Sequence, residues 1–112
     1  MTQEYMRRVP SYDEMKKLQQ MLLDAGIPHS YKVDKFDDSE IKEEWHDIKI
    51  PSRESFFRER GFSIILNGGS YGHESGLLEV WWKPGMEYPE GRFTAEAVFQ
   101  MIMNHKESWC DA

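Results

Sequence analysis

The stretch GFSIILNGGSYGHESGLLEVWW, residues 61–82, decides the fold. Phe62, Ile64 and Leu66 alternate with Ser63, Ile65 and Asn67. Beyond a connector, Leu78, Val80 and Trp82 alternate with Leu77, Glu79 and Trp81, so each flank is a strand with one face turned to a core. Strands joined by so short a chain pair antiparallel. The connector, residues 67–76, holds four glycines in ten residues. An Asn-Gly pair suffices for a tight hairpin, so this length marks either a flexible excursion or a shaped surface.

Upstream, Ser11 and Glu14 have the S-x-x-E spacing of a capping box, and Tyr12, Met15, Leu18 and Leu22 recur at helical spacing until Gly26 and Pro28. A helix over residues 12–25 is predicted. Residues 27–33 alternate as a half-buried strand. The acid-rich run 34–44, with Ile41 and Trp45 four apart, predicts a short surface helix, and residues 47–50 a short strand ended by Pro51. Residues 52–60 read as loop or one turn of helix, and the Pro- and Gly-containing run 83–91 as loop. Thr94 caps a final helix with the stripe Ala95, Val98, Phe99 and Ile102, fraying toward Trp109. The order is helix, about four strands, helix. Short connections make the sheet an antiparallel meander with both helices on one face, a two-layer α+β fold. One domain over 11–107 is expected, with a flexible arm at 1–10 and a flexible tail at 108–112.

Size and charge narrow the function. A chain of 112 residues holds one core. Its net charge of -6 argues against an extended nucleic-acid groove, which needs a surplus of Lys and Arg. The single Cys110 leaves neither a disulfide framework nor a thiolate metal cluster and fits a reducing, cytoplasmic setting. No apolar run is long enough to cross a bilayer, so no membrane partner is expected. His29, His46, His73 and His105 have no zinc-binding spacing, and neither a P-loop nor a G-x-S-x-G elbow is present. No metal, cofactor or catalytic residue is assigned.

The residue types in and around the connector point to binding instead. Its glycines, Gly69 and Gly72 among them, free backbone N–H groups to form an anion-binding nest, to which Asn67, Ser70, Tyr71 and His73 add neutral donors. The alternative is a long hairpin whose glycines only permit positive φ. Glu79 is either a solvated carboxylate on an uncovered sheet face or, if a partner covers that face, needs a cation such as Arg58 or Arg60. Arg53, Arg58 and Arg60, with Phe56 and Phe57 between them, form either a basic-aromatic patch suited to phosphate and to stacking or surface charge that balances Glu54 and Glu59. The preferred mechanism holds a small anionic, nucleotide-like ligand between connector and arginines, with its base on Tyr71 or Trp81. The rival is a protein inhibitor or assembly module docking an acidic face on a basic protein. A hydrolase using His73 and Glu79 comes third, and an exposed Trp81 on an uncovered face suits a homodimer.

SYG at 70–72, GLLE at 76–79 and FTAEAVFQMI at 93–102 together resemble a group of short proteins encoded by bacteriophages and prophages of gut Firmicutes. Members are similar in an N-terminal helix ending in a gIP turn, here Gly26 to Pro28, in an SYG…GLLE hairpin and in a C-terminal helix. The resemblance spans residues 12–104, and this chain departs from it in a longer acidic insertion at 37–45. It implies an accessory role in the host cytosol, of the kind that counters host defence by binding a host protein or sequestering a nucleotide signal.

Overall fold

The computed structural model of the chain describes residues 9–37 and 42–110. Among the described residues, five strands form one antiparallel meander in sequence order: β1 (Ser30–Asp37), β2 (Lys42–Ile50), β3 (Gly61–Leu66), β4 (Leu78–Lys83) and β5 (Glu90–Phe93). Helices α1 (Asp13–Asp24) and α3 (Ala95–Asn104) cover one face, and the short α2 (Arg53–Phe57) joins β2 to β3. The α+β sandwich expected from the sequence is thus present, with a fifth strand.

The alternation of residues 61–82 builds the core directly. Phe62, Ile64 and Leu66 of β3 face inward with Ile48 and Ile50 of β2 and Leu78 and Val80 of β4, and register sets Ile64 opposite both Ile48 and Val80. Met15, Leu18 and Leu22 of α1 and Ala95, Val98 and Ile102 of α3 close over them, and all of these are fully buried. Each Val, Leu, Ile, Phe or Met side chain among them contributes about 1.5–3 kcal/mol on burial. Thr94 caps α3 as predicted, its Oγ1 accepting the Ala97 N–H at 3.2 Å.

Three expectations are corrected. The acidic run is not a surface helix. Residues 34–37 extend β1 and residues 42–45 extend β2, with Lys35 opposite Glu44 and Phe36 packed on Trp45 at 4.9 Å between centroids. Cross-strand charge and ring pairs outweigh a weak helical spacing. The run 83–91 is not all loop, because residues from Glu90 onward pair with β4 through a bulge between Leu78 and Val80. A four-residue strand after two prolines carries too little alternation to be seen. The capping box does not close either. Ser11 Oγ takes the Asp13 N–H, and the Glu14 carboxylate crosses to the first turn of α3, accepting the Ala95 N–H at 2.7 Å. One helix therefore caps the other, and a solvent-exposed Lys17–Glu96 ion pair at 2.8 Å spans the same joint.

Val9 packs against the core, while the rest of the expected arm except Pro10 lies outside the described residues. At the other end Ser108 Oγ accepts the Trp82 indole N–H at 2.6 Å, and Trp109 donates to the Ile102 carbonyl at 2.9 Å. Residues 111–112 of the expected tail lie outside the described residues. Among the described residues, no helix is long and apolar enough to cross a membrane.

Candidate functional site

The connector is a closed, self-bonded structure. Asn67 Oδ1 accepts the Gly69 N–H at 2.8 Å, and the buried Ser70 hydroxyl accepts the Asn67 N–H at 3.1 Å while donating to the Asn67 carbonyl at 3.0 Å. A 3-10 turn, His73–Ser75, follows between Gly72 at φ 92 and Gly76 at φ 69, and the Leu77 N–H returns to the Gly72 carbonyl at 3.0 Å. The N–H groups expected to grip an anion already hold carboxylates of the protein itself: Gly68 donates to the buried Glu43 at 2.7 Å and Tyr71 to Glu79 at 2.8 Å. The nest predicted from the glycines thus has internal anions in it. His73 Nδ1 lies 2.7 Å from the Ser70 carbonyl, and the neighbouring Glu74 binds Arg92 at 2.6 Å.

Glu79 and Trp81 share the sheet face opposite α1 and α3. Glu79 stands opposite Ile65, half-buried, with the Tyr71 amide rather than an arginine as its partner. Trp81 meets Phe56 of α2 edge-on at 6.1 Å, has the Lys83 ammonium 4.7 Å above its ring and donates its indole N–H to the Met86 carbonyl at 3.1 Å. Part of this face is therefore covered by α2. Lys49, also buried here, pairs with Asp47 and lies 5.6 Å from the Phe56 centroid; burial pushes its pKa down, against the pull of Asp47.

Arg58 and Arg60 do converge, away from the connector. With Ser52, Glu54 and Ser55 they line an open cavity of about 330 Å³, and no connector residue lines it. Ser52 caps α2 by accepting the Ser55 N–H at 3.1 Å, and the Ser55 hydroxyl donates to the Arg60 carbonyl at 2.9 Å, tying the turn back on the helix. The Arg60 guanidinium is fixed by the carbonyls of Glu107, at 3.0 Å, and Cys110, at 3.4 Å. Arg58 reaches Glu54 at 2.8 Å, but both side chains are in solvent, where such a pair is weak.

A second polar cluster escaped sequence reasoning. His46, buried on β2, stacks on Tyr12 at 4.2 Å, has the Tyr31 hydroxyl 2.5 Å from Nδ1 and Glu44 2.8 Å from Nε2. Its signal was parity, since His46 takes the inward place in the series completed by Ile48 and Ile50. Hydrogen bonding from His46 holds the Glu44 carboxyl below its usual range, and burial raises both Tyr12 and Tyr31 above the usual 10.0. A phenol whose pKa is raised on folding contributes stability below pH 10, lost as pH rises through the folded value. Alkaline titration of phenolate absorbance is expected to show late-titrating phenols, one lost in Tyr12→Phe and one in Tyr31→Phe. Ordinary titration of all five would contradict the burial.

Among the described residues, no group of three or more His, Cys, Asp or Glu is placed to hold a metal ion. No family model, curated protein or solved structure matches the chain.

Proposed function

We propose that the protein acts by occupancy, holding a small anionic, nucleotide-like ligand at the cavity between Arg58 and Arg60. The observation that carries this reading is that two arginines and two serines, Arg58, Arg60, Ser52 and Ser55, line one open cavity. Its volume is at the small end of ligand pockets, which run from about 300 Å³ upward. Guanidinium forks match phosphate oxygens, and an incoming anion replaces the solvated Glu54 as the partner of Arg58. Phe57, 62% exposed on the same short helix with Arg53 at 5.5 Å from its ring, offers a face on which a base stacks. Sequestering a nucleotide signal needs no catalytic group, in keeping with the phage accessory, counter-defence role that the sequence resemblance implies.

Thermal unfolding in the presence of nucleoside mono- and diphosphates and cyclic dinucleotides tests this. A ligand bound only by the native state at a hundred times its Kd adds about 2.7 kcal/mol. At least one compound is expected to raise Tm, with the rise lost in Arg58→Ala and kept in Tyr71→Ala. A panel without effect, or a rise that survives Arg58→Ala, contradicts the proposal.

A further inference from the structure

Strand β1 is the outer edge of the sheet, paired among the described residues with β2 alone. The β1–β2 ribbon also runs past its neighbour, because β3 pairs with β2 only from His46 to Ile50, leaving residues 42–45 to lean on β1. Three large apolar side chains are exposed on this ribbon: Val33 at 38%, Phe36 at 46% and Trp45 at 42%. An edge of this length carrying exposed apolar residues is a template for another strand.

The charges on β1 say which strand fits. We infer that β1 pairs antiparallel with β1 of a second copy about a twofold axis through Val33, joining two sheets into one. An axis normal to the sheet keeps every residue on its own face, so it passes through a residue and not between two. Centred on Lys32, Asp34 or Lys35, it sets a charge against its own copy, which is destabilising. Axes nearer either end leave little of the strand paired. Centred on Val33, the register sets Val33 against Val33 and, twice by symmetry, Lys32 against Asp34 of the second copy. Ser30 then stands opposite Phe36, leaving room for the ring. Lys32 and Asp34 already lie 3.6 Å apart on the same face within one chain, so the dimer closes a ring of four alternating charges. The charges that guard the edge against indiscriminate pairing thereby leave one register open. This interface is separate from the Trp81 face from which a homodimer was expected, and it is independent of the arginine cavity.

Sedimentation velocity across a concentration series is the test, with wild type expected at the mass of two chains. Lys32→Asp and Asp34→Lys, each replacing two attractive pairs by two repulsive ones, should weaken association by about tenfold or more. The double variant Lys32→Asp/Asp34→Lys restores the complementarity and should dimerise like wild type. Because both positions are on a surface strand, circular dichroism should be the same in all four proteins, and rescue in the double variant excludes misfolding as the cause of dissociation. A monomeric wild type overturns the inference, as does a dimer indifferent to Lys32→Asp or a double variant that stays dissociated.

Discussion

Phe62→Ala is expected to lower the unfolding free energy by about 3–5 kcal/mol, the usual cost of truncating a buried phenylalanine. Phe62 has no exposed surface and stands opposite Ile50 on one side and Trp82 on the other. Its ring lies nearly parallel to that of Trp82 at 6.1 Å, and Trp82 in turn stacks on His105 at 3.6 Å and donates to Ser108. Removing the ring therefore opens a cavity beneath the residue that fastens the end of the chain. The loss extends beyond one side chain, because Trp82 cannot drop into the gap and keep both its stacking partner and its hydrogen bond. Urea unfolding should show a lower midpoint with an unchanged slope. A loss under about 1 kcal/mol, well below the range for such truncations, would contradict this packing.

Gly72→Ala is expected to cost about 2–4 kcal/mol, and Gly69→Ala almost nothing. Gly72 sits at φ 92, where a side chain is strained by about 1–3 kcal/mol. A Cβ there would also stand 2.8 Å from the backbone nitrogen of Arg92 and 2.9 Å from its Cα, forcing β5 to shift. At Gly69 a Cβ meets only Asn67 Oδ1 at 3.6 Å, an ordinary contact. The two glycines look alike in the sequence, so the contrast separates a shaped connector from a flexible one. Equal, small effects on thermal unfolding would mean that the connector does not hold the conformation described.

Where the hydrophobic alternation was strong, the fold was legible. The inward rows of β3 and β4, the stripe of α1 and the Thr94 cap follow from periods of two and of about 3.6 together with one capping residue. What sequence reasoning missed depended on distant partners. The Phe36–Trp45 pair makes strand out of an acid-rich run, and Glu14 caps α3 rather than its own helix across 81 positions of chain. The candidate site divided for the same reason. Glycines announced a connector able to present N–H groups, but nothing local announced that Glu43, from a strand 25 residues earlier, would fill one of them. Arg58 and Arg60 came together because Ser52 and Ser55 fold that segment into a capped turn, a signal within nine residues. His46 was legible only as an inward-facing position, since its partners Tyr12 and Tyr31 come from two other elements.

In the proposed mode of binding an anion enters the Arg58–Arg60 cavity and not the glycine-rich connector. Amide chemical-shift mapping during titration with a nucleoside diphosphate separates the two in one experiment. The largest shifts are expected at residues 52–60 and near-constant shifts at 68–76, where the Gly68 and Tyr71 N–H groups already serve Glu43 and Glu79 and those of Ser70, His73, Ser75 and Gly76 serve the connector itself. Saturable shifts concentrated at 68–76 would contradict it.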